Sequence, residues 1–194
     1  QTCALPISYP HRTFPTLRAV KALMDSGKLG RVTYARVRNV HNGSSANWLP
    51  PHFYDKAQCG GGAMIDLGSH PMYTLYWLLG EPKSITSTFT QVTNRGVEDN
   101  AVSVIEFADG KIGVSETGFV SECNPYTLEV SGTDGAVMVH GDSVQWGGKA
   151  TEGKWVDLEL PEKEPLPIDQ WIDAVVNGKR SEERRVGKEC RSRW

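Results

Sequence analysis

The chain has 194 residues, enough for one domain of ordinary size and too few for two. Lysine and arginine number 21 and aspartate and glutamate 23, so a net charge of −2 provides no field that would hold a phosphate backbone, and no nucleic-acid partner is expected. With 39% apolar and 23% charged residues, the composition is typical of a soluble globular protein. No apolar run approaches the roughly 18 residues of a membrane span, so no membrane partner is expected either.

The two ends of the chain differ from the sequence between them. Residues 1–7 and 180–194 look like translated sequencing-library adapter, and the last fifteen residues carry six basic and three acidic side chains without a hydrophobic period. We therefore expect one domain over residues 8–179, flanked by two artefactual segments. The cysteines left in that domain, Cys59 and Cys123, predict no disulfide framework and favour a reducing, cytoplasmic location.

The first half of the chain predicts two helices separated by a strand and a loop. Thr13 as a cap and Pro15 in the first turn predict a helix of about three turns. Residues 31–40 begin with alternating β-branched and aromatic side chains, which predicts a strand. Residues 41–58 are rich in Asn, Ser and Pro and predict a loop, and residues 60–80 have the apolar spacing of a helix.

The second half of the chain changes to a period of two residues, which is typical of β-strands. The predicted strands are residues 84–93, 101–108, 111–120, 126–132, 136–140, 143–147 and 154–160. Two Asp-Gly turns, beginning at Asp109 and Asp134, favour antiparallel hairpins, and a last helix is predicted over residues 168–176. Many hairpin-linked strands with few helices predict an α+β fold: one largely antiparallel open sheet with helices on one face.

One dense group of chemically active residues stands in the second helical segment. Three glycines at residues 60–62 precede Asp66 and His70, whose spacing of four places them on one side of a helix. A carboxylate beside an imidazole raises its pKa and fixes its tautomer, which suits proton exchange with a hydroxyl or carbonyl. The glycines permit positive φ and a close approach by a ligand. Gly68 and Pro71 predict a kink near His70. Such a pair is also common as a purely structural contact, and spacing alone leaves both interpretations open.

The strand end and loop before the glycines form a second candidate site. Arg38, Asn39, His41 and Trp48 offer planar hydrogen-bonding groups and an aromatic face, which are typical of a pocket for a polyol. The same residues also fit an ordinary polar loop with one buried tryptophan. The sequence favours neither interpretation over the other.

Residue types that bind zinc are present in the same region, but without a metal-binding spacing. They are His41, His52, Cys59, Asp66 and His70. No C-x-x-C or H-E-x-x-H pair occurs among them, so no metal site is predicted. His11 and His140 have no evident partner and are predicted to be surface residues.

The segment GGGAMIDLGSHPMYTLYWLLGEP resembles the signature of the substrate domain of the Gfo/Idh/MocA oxidoreductases. Residues 12–32 resemble the entry helix of that family, and residues 171–179 resemble another of its segments, so the resemblance covers nearly the whole domain. It implies an NAD(P)-dependent dehydrogenase or reductase acting on a CH–OH group of a sugar, a polyol or a cyclitol such as inositol. It also implies that His70 is the general acid/base and Asp66 its orienting carboxylate. The family often has an aspartate where this chain has Tyr73.

The resemblance further implies that the chain depends on a cofactor-binding domain and on a second copy of itself. No G-x-G-x-x-G turn and no E-K-P motif occur in the sequence, so NAD or NADP would be bound mainly by an N-terminal Rossmann domain that is absent here. We expect the chain to be a fragment that is inactive alone, and to form a homo-oligomer through the open face of its sheet. The alternative is a non-catalytic sugar-binding or dimerisation module in which Asp66 and His70 are structural.

Overall fold

A computed structural model describes residues 9–123 and 126–178. The helices are α1 Pro15–Asp25, α2 Lys56–Cys59, α3 Ala63–Asp66, α4 Ser69–Leu79 and α5 Pro167–Val176. The strands are β1 Val32–Val40, β2 Pro82–Thr90, β3 Asn100–Phe107, β4 Ile112–Gly118, β5 Thr127–Gly132, β6 Gly135–His140, β7 Ser143–Gly148 and β8 Val156–Asp157. The 3-10 turns are Pro10–Thr13, Pro51–Tyr54 and Lys149–Thr151.

The strands form one sheet in the order β2-β3-β4-β1-β5-β6-β7-β8. Every pairing in this sheet is antiparallel except that of β1 with β4, which is parallel. The helices α1, α3 and α4 contact the sheet. The predicted fold class, an open and largely antiparallel sheet with helices on one face, is confirmed. The parallel pair at its centre was not predicted, because hairpin signals report only neighbouring strands.

Side-chain burial alternates along β1, which gives this strand one face in the core and one open face. Ala35 and Val37 are fully buried under the helices, whereas Arg36 between them and Arg38 after them are only partly buried. Successive side chains of a strand point to opposite faces, so the two arginines lie on the face without helices. The core between sheet and helices includes Leu17, Val20, Leu75, Leu79, Phe107, Leu128, Val130 and Val137. Burial of these apolar side chains is the main force that holds α1 and α4 on the sheet.

Three local predictions need correction. Thr13 does not cap α1: its hydroxyl donates to the Pro10 carbonyl (2.8 Å) within the preceding turn, and Phe14 takes the cap position. The predicted helix over residues 60–80 is two helices, because the regular α-helical hydrogen bonding is interrupted at Leu67 and Gly68, although both residues keep helical backbone angles. The Gly68 N–H donates five residues back to the Ala63 carbonyl (3.1 Å), and the His70 N–H donates three residues back to the Leu67 carbonyl (3.1 Å). The last predicted strand pairs only over Val156–Asp157 at the edge of the sheet, where no further strand holds it.

Two further predictions concern the ends of the chain and membrane-spanning helices. The suspected adapter segments, residues 1–7 and 180–194, lie outside the described residues. Within the described part of the chain, no helix has the length and apolarity needed to cross a bilayer.

Candidate functional site

The candidate site lies at the edge where the parallel strands β1 and β4 end together. His41 follows β1, and its backbone N–H donates to the carbonyl of Gly118, the last residue of β4 (2.9 Å). The His41 ring stacks on Phe119, with ring centroids 4.9 Å apart and an interplanar angle of 7°. Because Phe119 is fully buried, it fixes the position of the imidazole at this edge. The same edge receives the helices α3 and α4.

The glycine turn before α3 is held by Glu98, a residue that the sequence did not single out. One carboxylate oxygen of Glu98 accepts hydrogen bonds from the backbone N–H groups of Gly62 (2.9 Å) and Met64 (3.0 Å). Its carbonyl accepts from Ala63 N–H (2.9 Å) and would lie 2.0 Å from a Cβ placed on Gly62. Gly60 ends α2 with φ +80°, as predicted for a residue free of a side chain. The sequence predicted that the glycines permit close approach by a ligand, but at Gly62 the group that approaches closely is the backbone carbonyl of Glu98.

Asp66 and His70 flank the break between α3 and α4, and no hydrogen bond or ion pair joins them among the described residues. Nδ1 of His70 instead lies 3.2 Å from the hydroxyl of Tyr73, one turn further along α4. Asp66 is exposed and His70 is half-buried. Nε2 of His70 has no hydrogen-bond partner among the described residues and is not fully buried, so it reaches solvent. The pair is close enough to interact electrostatically but is not bonded.

Burial dominates the electrostatics of this edge. It lowers the pKa of His70 and that of His41, and the negative charge of Asp66 opposes both changes. Desolvation raises the pKa of Asp66, against the opposing effect of the two imidazoles. As expected, the carboxylate of Asp66 raises the pKa of His70, but desolvation of the ring is the larger effect, so the net change in that pKa is downward. Both imidazoles are neutral at pH 7, beside one carboxylate.

His11 is part of the site, although the sequence predicted a surface position. Its ring lies 4.6 Å from the His70 ring and 4.7 Å from the Tyr126 ring, measured between centroids. Its Nδ1 is buried and has no hydrogen-bond partner in the described part of the chain. Burial, and then the neighbouring His70, lower the pKa of His11 to about 4. Nothing local in the sequence indicates this position, because the turn Pro10–Thr13 meets α4 only through the tertiary fold.

The predicted polyol-pocket residues are brought together only in part. Asn39 faces the helices, where its amide donates to the Leu67 carbonyl at the break (3.4 Å). Trp48 is 55% exposed and packs beside His41, with centroids 4.7 Å apart, so the interpretation with a buried tryptophan is wrong. Arg38 lies on the opposite face and pairs with Glu116 (3.4 Å), because neighbouring residues of a strand alternate.

The other candidate groups lie apart from this edge. No three histidine, cysteine or acidic side chains come together as metal ligands within residues 9–123 and 126–178. Sγ of Cys59 donates to the backbone carbonyl of His52 (3.0 Å). His140 is exposed, as predicted. A cavity of about 290 Å³ lies elsewhere, between α4 and strands β2 and β3, and is lined by apolar side chains such as Met72 and Phe107.

The fold and the site together define an α+β domain that presents neutral imidazoles, a carboxylate and an exposed indole at one sheet edge. Residues 17–138 match the family model described as "GFO/IDH/MocA C-terminal domain". The chain therefore belongs to this family, as the resemblance in its sequence implied.

Curated relatives and a solved structure agree with this assignment. The chain is 27% identical over 128 residues to 1,5-anhydro-D-fructose reductase from Ensifer adhaerens, covering 62% of this chain and 37% of that protein. It is 23% identical to levoglucosan dehydrogenase from Pseudarthrobacter phenanthrenivorans, covering 68% and 41%. The structure of a levoglucosan dehydrogenase in complex with NADH and levoglucosan matches with a TM-score of 0.76 at 18% identity, covering 90% of this chain and 57% of that one. The chain thus spans about two-fifths of the length of these curated relatives.

Proposed function

We propose that this chain is the substrate-binding and catalytic domain of an NAD(P)-dependent oxidoreductase acting on a CH–OH group of a sugar, polyol or cyclitol. The observation that carries the proposal is the solvent-reaching Nε2 of His70, which lies in the electrostatic field of the exposed Asp66. The named relatives support the substrate class. One is named as a reductase of 1,5-anhydro-D-fructose, and another is named as a dehydrogenase of levoglucosan.

The residues at this edge are suited to hold a hydroxylated ring. A hydroxyl both donates and accepts hydrogen bonds, and it meets an acceptor in the carboxylate of Asp66. His41 accepts a hydrogen bond at Nδ1 from the Gly43 N–H (3.0 Å), which leaves the proton of the neutral ring on Nε2 as a donor. The exposed indole of Trp48 offers an apolar face to the C–H side of a sugar ring. His70 then exchanges or shares a proton with the reacting oxygen.

The described residues do not fit a dinucleotide site of their own. The glycines at residues 60–62 lead into the four-residue helix α3 and follow the short helix α2, whereas a dinucleotide turn joins a parallel strand to a long helix. We therefore assign no residue of this chain to NAD(P) and place its binding on a Rossmann domain joined to this one. Bound there, the dinucleotide would accept or supply the hydride.

Loss of activity in two site variants tests the proposal. His70→Gln and Asp66→Asn are made in a protein that joins this chain to its dinucleotide-binding domain, and oxidation of a sugar and polyol panel is followed by NAD(P)H absorbance. We expect kcat to fall by about 10² to 10⁴ for His70→Gln, the usual contribution of a general acid/base, while the exposed control His140→Gln is unchanged. Unaltered turnover in folded His70→Gln would instead support the alternative, a non-catalytic sugar-binding or dimerisation module.

We also propose that the open face of the sheet joins two copies of the chain. This face carries partly exposed apolar side chains on β3, β4 and β6, namely Val102, Val104, Ile112 and Met138. Side chains of this type on a sheet face without helices are typical of an interaction surface.

We further propose a cytoplasmic location, which the free thiols of Cys59 and Cys123 support because free thiols are typical of a reducing compartment.

A further inference from the structure

The hydroxyl of Tyr73 sits between two hydrogen-bonding groups of the site. It accepts a hydrogen bond from the backbone N–H of His11 (3.1 Å) and lies 3.2 Å from Nδ1 of His70. Its ring is half-buried and packs edge-on against Tyr9 (4.6 Å between centroids). The position of the hydroxyl is thus fixed from the N-terminal turn and from within α4, and it does not depend on Asp66.

The direction of the Tyr73–His70 hydrogen bond follows from counting protons. A backbone N–H can only donate, so the Tyr73 oxygen is the acceptor in its bond with His11. The phenol keeps its own proton near neutral pH, since burial raises the pKa of Tyr73. Among the described residues, Nδ1 of His70 is the acceptor that lies within reach of that proton. Tyr73 therefore donates, and Nδ1 of neutral His70 carries no proton.

We infer that Tyr73 is a positioning residue that fixes His70 as the tautomer protonated on Nε2. The neutral ring then presents an N–H, and not a lone pair, to the solvent side of the site. Where this inference concerns catalysis it rests on the proposed function: His70 would donate a hydrogen bond to the substrate oxygen. Withdrawal of a proton from a substrate hydroxyl by Nε2 would first require Tyr73 to turn its hydroxyl away.

The other titratable groups that face His70 do not change the assignment of its proton to Nε2. Asp66 at the end of α3 acts on the ring through space, without a hydrogen bond to either nitrogen. His11 in the N-terminal turn packs against the ring at a tilt of 31°, and its own Nδ1 has no hydrogen-bond partner among the described residues. His41 after β1 interacts with the shared Asp66. Tyr73 is the described group that is hydrogen-bonded to the His70 ring.

The first test measures the tautomer directly in this chain. With ¹⁵N-labelled histidine, the protonated and unprotonated ring nitrogens of each imidazole resonate in separate ranges, and the spectrum of His70→Gln identifies the signals of His70. At pH 8, where the imidazoles are neutral, we expect the proton of His70 on Nε2 and an unprotonated Nδ1. A proton on Nδ1 would overturn the inference. This measurement needs neither a cofactor nor a Tyr73 variant.

The second test uses the sign of a pKa change. A donor to Nδ1 stabilises the neutral ring, so Tyr73→Phe should raise the measured pKa of His70 by about 0.5 to 1. If Tyr73 were an acceptor for the ring, its removal would lower that pKa, and this result would contradict the inference. Tyr76→Phe is the matched control, since it removes a hydroxyl from the same helix whose hydrogen bond goes to Glu81 (2.7 Å). It should leave the pKa of His70 unchanged.

The two proposals fail in different ways. If the protein joined to its dinucleotide domain oxidises and reduces no hydroxylated compound, the proposed function fails, while the tautomer and the pKa remain measurable in this chain. If activity is present but His70 carries its proton on Nδ1, the inference about Tyr73 fails alone. If both hold, Tyr73→Phe should reduce kcat for carbonyl reduction, the direction in which Nε2–H donates to the substrate oxygen, by about threefold to tenfold with little change in KM, since a hydrogen bond of ordinary strength is lost.

Discussion

The two faces of the central strands differ in how their polar groups are partnered. On the open face, Arg36 makes two hydrogen bonds to the carboxylate of Glu116 (2.7 and 2.9 Å), and Arg38 pairs with the same carboxylate (3.4 Å). On the helix-covered side, the carboxylate of Asp66 makes no hydrogen bond with the described residues, and Nδ1 of His11 is buried without a partner. The strands are the same, but these charged groups on the open face are paired with one another, whereas Asp66 and His11 on the helix-covered side lack such partners among the described residues.

The difference indicates where a ligand would be useful. Charges that already have partners on an exposed face contribute at most modestly to stability and have little bonding capacity to spare. A buried polar group without a partner, such as Nδ1 of His11, costs free energy, whereas an exposed carboxylate without a protein partner, such as that of Asp66, keeps its hydrogen-bonding capacity for a bound molecule. This difference supports the proposals that the substrate binds at the helix-covered edge and that copies of the chain associate through the open face. The following variants test it.

The largest effect is expected for Gly62→Ala, because it removes the turn that supports the site. The new Cβ would lie 2.0 Å from the Glu98 carbonyl oxygen, so the backbone must move and both hydrogen bonds to the Glu98 carboxylate weaken. We expect a loss of about 3 kcal/mol in the free energy of unfolding, measured by urea denaturation. Gly61→Ala is the matched neighbour: its Cβ would lie 2.7 Å from Cγ1 of Ile65, a side chain that is 57% exposed and can rotate, and at ordinary contact distance (3.6 Å) from the Glu98 carboxylate. Equal losses in both variants would contradict this account.

An intermediate effect is expected from the titration of His11. Its pKa is about 4 in the folded protein and 6.5 in the unfolded chain, so the unfolded chain binds more protons between these values. The stability contributed by the neutral ring is present in full above pH 6.5 and is lost as the pH falls towards 4. Between pH 7 and pH 5 the loss amounts to about 2 kcal/mol.

His11→Phe should remove that part of the acid sensitivity. The variant keeps an aromatic ring against His70 and Tyr126, and it removes no hydrogen bond that Nδ1 makes with the described residues. Urea denaturation at pH 7 and pH 5 should therefore show a difference smaller by about 2 kcal/mol than in the parent chain. His140→Gln on the surface should retain the parent's pH dependence. An unchanged slope in His11→Phe would show that His11 is not buried in its neutral form.

Much of the fold could be predicted because its signals are local. Period-two alternation and the Asp-Gly turns each act over a few residues, and they indicated the hairpins β3–β4 and β5–β6. The parallel pairing of β1 with β4 joins residues about 80 positions apart, and no local pattern encodes it. The break after Asp66 was predicted near His70 from Gly68 and Pro71, although it falls slightly earlier.

The site was predicted less completely, for two distinct reasons. Asp66, His70 and His41 were found because they are close in sequence to the glycine turn. Glu98 and His11 reach the same edge only through the tertiary fold, so no spacing could indicate them. Arg38 is a different case, since the alternation of the predicted strand already placed it opposite Asn39. Applying that rule to the candidate pocket would have separated the two residues.

The smallest effect on stability is expected on the open face. Val104 in β3 is 46% exposed, next to Val114 in β4, and Val104→Lys removes no core contact. We expect the free energy of unfolding of the monomer to change by no more than about 0.5 kcal/mol. If copies of the chain associate through this face, the added charge must be desolvated between them, so sedimentation velocity should show the parent as an oligomer and the variant as a smaller species. The matched variant Val92→Lys carries the same charge on an exposed residue of the β2–β3 loop and should sediment like the parent. If the parent chain is monomeric at high concentration, the open face is not an interface between copies of the chain. The helix-covered edge then remains as the proposed site of interaction.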